Sequence, residues 1–159
     1  MTDSIEMERK FWRALRDDKT LMLGLTGAGP AQPMTAQFDE DTGHNVYVFT
    51  SNETDLVRAL DGRKDAFAYF VSKDHGLFAA IDGTLTMDND PQMIERLWNP
   101  FVAAWFEGGK SDPKLALIRF EPGRAQIWLN DHSFLAGVKM LLGRDPKQEY
   151  KDKTAEVRL

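Results

Sequence analysis

Residues 45–60 read NVYVFTSNETDLVRAL, and the fold turns on how this stretch is divided. Val46 and Val48, with the β-prone Tyr47, Phe49 and Thr50, make a short strand, while Leu56, Val57 and Leu60 recur at helical spacing. A strand therefore runs directly into a helix. The junction Thr50-Ser51-Asn52-Glu53-Thr54-Asp55 collects hydroxyls and free backbone N–H groups at the helix start. Two uses fit it. Such a helix end can hold an anion such as a phosphate, and Ser51 or Asn52 as N-cap, with Thr54 or Asp55 three residues on, is also ordinary helix capping.

Working outward, residues 3–17 carry Ile5, Phe11, Trp12 and Leu15 among charges, with Ser4 as a capping residue, and are expected to form an amphipathic helix. Residues 20–26 are a short apolar run with strand character, followed by a Gly27-Ala28-Gly29-Pro30 turn. Residues 31–38 can return antiparallel, with Pro33 tolerated near an edge. The acidic segment 39–43 is a loop into the central strand. Beyond the short helix, residues 66–72 and 77–87 are expected strands around the turn Lys73-Asp74-His75-Gly76, with Gly83 marking a bulge. Residues 88–100 show helical spacing at Met93, Ile94, Leu97 and Trp98, with Asp90 as N-cap, Pro91 at the first position and Pro100 as a break. Residues 101–106 continue apolar, and 107–113 form a loop. Residues 115–120 and 124–129 are expected as two strands around Glu121-Pro122-Gly123, and 133–142 as a last short apolar helix. Strand follows strand, so the pattern is mainly antiparallel β with helices (α+β): six or seven strands in a small barrel with helices outside. Residues 1–159 are expected to be a single domain, with the stretch 144–159 carrying no periodicity that assigns it.

The bulk chemistry removes several function classes. With no cysteine among 159 residues, disulfides, thiol catalysis and cysteine-based metal sites are excluded. A net charge of −5 and the lack of a basic stripe with interleaved aromatics argue against nucleic acid. No apolar run reaches membrane-spanning length and no signal-type h-region opens the chain, so a cytoplasmic protein is expected. Gly109-Lys110-Ser111 fails as a P-loop because Ala104 stands where a glycine is required, and Gly24, Gly27 and Gly29 miss the dinucleotide-binding spacing. His44, His75 and His132 are scattered beside turn residues, without metal-ligand spacing, and Ser72 and Ser133 lack a nucleophile setting. Trp98, Trp105, Phe106 and Trp128 suit either core packing or stacking on a flat conjugated ligand.

Four segments together resemble the pyridoxamine-5′-phosphate-oxidase-like FMN-binding split barrels, in particular their general stress protein branch. They are Gln32-Pro33-Met34-Thr35-Ala36-Gln37, Val48-Phe49-Thr50-Ser51, Ile81-Asp82-Gly83-Thr84-Leu85, and Trp98-Asn99-Pro100 with the following Ala104-Trp105-Phe106-Glu107-Gly108-Gly109-Lys110-Ser111-Asp112-Pro113. The last is the most specific. The resemblance implies a homodimer with two flavin sites, each built from both chains. It implies Met34 and Thr35 along the isoalloxazine, Phe49, Thr50 and Ser51 beside the ring and ribityl chain, Thr54 facing the phosphate, and Trp128 closing the ring pocket from the partner subunit. Asn99, Trp105 and Asp112 are expected to be structural.

This chain departs from the family pattern in charge. Gln32, Asp55 and Leu56 are non-basic where relatives place cations, and Glu53 adds further negative charge. A like charge near a phosphate opposes binding by roughly 1 kcal/mol per close contact, and a helix end with hydroxyls returns about as much. Arg58, Arg63 and Lys64 are the nearest cations in sequence. The expected function is binding of FMN, or of FAD as a related flavin, with flavin-dependent redox activity; a carrier or sensor without turnover and a flavin-free dimeric binding module are the alternatives. Oxidation of pyridoxamine phosphate itself is disfavoured, because the basic residues for a second phosphate are missing. No residue is assigned as an acid or base catalyst.

Overall fold

A computed structural model describes residues 4–130 and 154–159. It contains α1 (Ser4–Asp18), β1 (Thr20–Leu25), β2 (Gln32–Thr35), β3 (Val46–Ser51), α2 (Asp55–Ala59), β4 (Arg63–Val71), β5 (Leu77–Met87), α3 (Pro91–Leu97), α4 (Pro100–Ala103), β6 (Leu115–Leu129) and β7 (Thr154–Arg158). The strands form one antiparallel sheet in the order β2-β1-β4-β5-β6-β3, with β7 added to β6. Gln37, just past β2, pairs with Tyr47 of β3 through two backbone hydrogen bonds of 2.7 and 2.9 Å. That bridge joins the two ends of the sheet and nearly closes it into a split barrel.

Alternation along the strands sorts the apolar residues into two cores. Val46 and Val48 point inward with Leu21, Leu23, Phe70, Ile81, Ile118 and Ile127, and α1 adds Met7, Phe11, Trp12 and Leu15 to that interior. Phe11 meets Phe70 edge-on at 6.1 Å. The intervening Tyr47 and Phe49 point outward, where Met93, Ile94 and Leu97 of α3, Val102 of α4 and Phe106 cover them. β3 is thus buried on both faces over its first half, which is why its sequence begins as a continuous apolar run rather than an alternation.

Two expectations are corrected, and one unassigned segment gains a place. β6 is one 15-residue strand, not two around a turn: Asp82 pairs with Arg124 and Gly83 with Pro122, so Gly123 is skipped as a bulge. Pro122 is tolerated because β3 pairs with residues 115–120 and β7 with 124–128, which leaves residue 122 outside both ladders. β4 begins three residues earlier than expected, at Arg63. The end of the tail is a strand, β7, in which Val157 is the buried residue. The expected helix at 133–142, His132 and the earlier part of the tail lie outside the described residues.

Candidate functional site

The antiparallel pairing of Gln37 with Tyr47 does not continue along β2 and the end of β3. Beyond the bridge the two strands part, and a cleft of about 360 Å³ opens between them. Met34 and Thr35 line one side, with Pro33 and Gln37; Phe49, Thr50 and Ser51 line the other, with Thr54 at the head of α2; Phe101, Val102, Trp105 and Phe106 make the third wall. Six of the seven residues singled out from sequence therefore meet in one place. The seventh, Trp128, is outside the cleft in this chain. It stands half-buried on the outer face of the barrel, opposite Phe78 of β5 and Thr154 of β7.

The junction between β3 and α2 is held by its own hydrogen bonds. Thr54, not Ser51 or Asn52, is the N-cap of α2: its Oγ1 accepts from the Val57 N–H at 3.3 Å and donates to the Ser51 carbonyl oxygen at 3.0 Å. Ser51 Oγ accepts from the Glu53 N–H at 3.1 Å. The Thr54 hydroxyl proton is thus engaged locally and reaches an anion only by leaving the Ser51 carbonyl. Asn52 ties the junction to the loop before β6, donating from its backbone N–H to the Lys114 carbonyl at 2.9 Å and from Nδ2 to the Pro113 carbonyl at 2.6 Å.

The third wall is set by Asn99. Its Oδ1 accepts from the N–H groups of Phe101 and Val102 at 3.0 and 3.1 Å, which starts α4 with Pro100 at the first position. Its Nδ2 donates to the Leu97 carbonyl oxygen at 3.2 Å and reaches Gln37 Oε1 at 3.4 Å, linking this wall to the closing bridge. Trp98 packs edge-on against Phe49 at 5.9 Å and lies 6.3 Å from Phe106. Phe106 and Val102 are buried; Phe101 and Trp105 are each 84% exposed. Trp105, expected to be structural, instead stands at the cleft mouth. Asp112 does hold the following loop: Oδ1 accepts from the Lys114 N–H and Oδ2 from the Gly108 N–H, and these bonds keep its pKa below the ordinary value.

Among the described residues, none that lines the cleft is charged. Arg63 is engaged with Glu121 at 3.2 Å and with Thr84, Lys64 borders a different hollow with Thr26 and Ala28, and Arg58 is not among the lining residues. Lys114 lies beside the junction, its carbonyl oxygen accepting from the Asn52 N–H and its Nζ 3.9 Å from Glu53. Aromatic walls and short hydroxyls suit a flat ring and a polyol. A phosphate would find less to hold it.

The sequence does not single out Phe101, and it offers Trp105 both as a stacking residue and as a structural one. Their i and i+4 positions put both on one side of a helical turn, but nothing in the sequence distinguishes that side from the one Val102 and Phe106 bury.

The fold and cleft define a split antiparallel barrel with a ring-sized groove where two strands separate. The chain belongs to the pyridoxamine 5′-phosphate oxidase like family, which it matches over residues 6–150. A solved structure of a general stress family protein from Xanthomonas campestris pv. campestris is 51% identical, with a TM-score of 0.78, covering 84% of this chain and 94% of that one. The general stress FMN/FAD binding protein of Xanthomonas citri is 50% identical at the same TM-score, covering 82% and 94%. Protein bli-3 of Neurospora crassa is 22% identical over 121 residues, 71% of this chain, and the match spans 58% of that protein's length. Among the described residues no helix is long and apolar enough to cross a membrane.

Proposed function

We propose that this protein binds a flavin, FMN or FAD, non-covalently in the cleft between β2 and β3, as a cytoplasmic homodimer of one-domain subunits, and uses it in redox chemistry. The observation that carries this reading is the convergence of Met34, Thr35, Phe49, Thr50, Ser51 and Thr54 on one groove. The FMN/FAD binding of the half-identical Xanthomonas citri protein supports it. A bound flavin supplies the hydride or electron transfer. The chain's own part would be to hold and orient: Met34 and Phe49 would lie against the ring, the hydroxyls of Thr35, Thr50 and Ser51 would meet polar atoms of the ring and polyol, and the aromatic wall would exclude water. The outer face of the barrel supports the dimer. Met22, Tyr69 and Val71 are exposed there beside Phe78 and Trp128, an apolar surface suited to a second copy that would carry Trp128 toward the partner's cleft.

A second reading, a flavin carrier or sensor without turnover, is favoured by one observation: no described lining residue is titratable near neutral pH, so none offers acid or base catalysis. Purified protein that is yellow, or that saturably changes the fluorescence of added FMN, supports flavin binding. Oxidation of NAD(P)H by that complex then separates enzyme from carrier. Colourless protein that leaves FMN fluorescence unchanged and gains no thermal stability from flavins would remove both readings.

A further inference from the structure

Phe101 and Trp105 are the two most exposed large apolar side chains among the described residues, and both line the cleft. Large rings left in water forgo the burial that ordinarily places them in a core. Their exposure is built in. Asn99 caps the turn that carries them, and the same segment buries Val102 and Phe106 against Phe49 and Trp98, so the backbone beneath the two rings is fixed. Among the described residues, neither ring is in a stacked or edge contact with another aromatic side chain, and both rings face the cleft. The rest of the lining is uncharged, and Glu53 and Asp55 flank the junction with negative charge.

We propose that Phe101 and Trp105 form a stacking platform, by which the cleft selects its ligand for a flat, uncharged conjugated ring and draws little affinity from a phosphate. This deepens the flavin reading and rests on it. Its consequence is a specificity: dephosphorylated flavin is accepted nearly as well as FMN. An exposed ring without a bound partner gains its burial only when such a ligand arrives, and planar stacking on an aromatic side chain has the magnitude to dominate binding.

The experiment titrates riboflavin and FMN into the wild-type protein, Trp105→Ala, Phe101→Ala and Trp105→Phe, following flavin fluorescence, with light scattering and thermal denaturation alongside. Expected are wild-type affinities for the two flavins within about threefold of each other. Trp105→Ala and Phe101→Ala should each weaken both flavins by about tenfold, and by the same factor. Trp105→Phe restores most of the loss at unchanged Tm, since residue 105 is exposed. Unchanged affinity in both alanine variants overturns the platform, as does FMN binding more than about tenfold tighter than riboflavin. An alanine variant that halves the particle mass assigns the ring to a subunit contact and also overturns it. In each of these cases the flavin reading stands; failure of wild type to bind either flavin removes the flavin reading, and the platform with it.

Discussion

Asn52 Nδ2 donates to the carbonyl oxygen of Pro113 at 2.6 Å, across 61 residues of sequence. Together with the Asn52 N–H bond to the Lys114 carbonyl, it fastens the β3–α2 junction to the loop that follows α4. The start of α2 is thus tied to the approach to β6 at one residue. Asn52→Ala removes only the side-chain bond, which is exposed, and is expected to lower stability by about 1 kcal/mol. Urea unfolding measures this; a midpoint identical to wild type would show that water replaces the bond without loss.

Gly83 sits where β5 crosses the bulge of β6. A Cβ added there runs into the carbonyl oxygen of Glu121 and comes within 3.0 Å of the Pro122 Cα, both of them backbone atoms in a central ladder. Gly83→Ala is expected to destabilise by about 1–3 kcal/mol through overpacking. Chemical denaturation of the variant checks it, and a neutral effect would mean that the bulge yields freely.

Phe11 is 1% exposed and is the ring by which α1 closes the barrel against Phe70. Phe11→Ala should cost about 3–5 kcal/mol. Loss of under 1 kcal/mol would indicate that α1 is not integral to the core.

Asp112 gives a pH dependence with a definite sign. The N–H groups of Lys114 and Gly108 favour its charged form and lower its pKa from the ordinary 3.8. A carboxylate with a lower pKa folded than unfolded stabilises above the unfolded value, and that contribution is lost as pH falls through the folded value. Wild type should therefore exceed Asp112→Asn in stability at neutral pH, and the difference should shrink in acid below 3.8. A difference that does not change with pH would contradict this.

Most of the barrel was legible because its strands are short apolar runs between turn residues, and Asp90-Pro91 and Gly83 carry their positions openly. β6 was not. Pro122-Gly123 reads locally as a turn, and only the gap between the β3 and β7 ladders, a tertiary fact, lets the strand pass through it. β7 was illegible because a strand such as TAEVR, with only Val157 buried, has almost no periodic signal. The junction after β3 was recognised, but its cap moved to Thr54 since Ser51 stays in the ladder opposite Leu115. Residues of the cleft that follow a shared motif could be named in advance, and Trp105 could be named as a stacking candidate; Phe101 could not, because exposure of an aromatic ring leaves no mark on the sequence.

The most direct test of flavin binding in this cleft is an FMN titration of wild type beside Thr50→Asp and Ser51→Asp, followed by flavin fluorescence. Both residues line the groove at the end of β3, so a new carboxylate should weaken binding in each variant by about tenfold or more, through repulsion and desolvation at close range. Saturable wild-type binding that is lost or weakened in the two variants is the predicted result. Wild-type protein that binds no FMN, or variants with unchanged affinity, would contradict it.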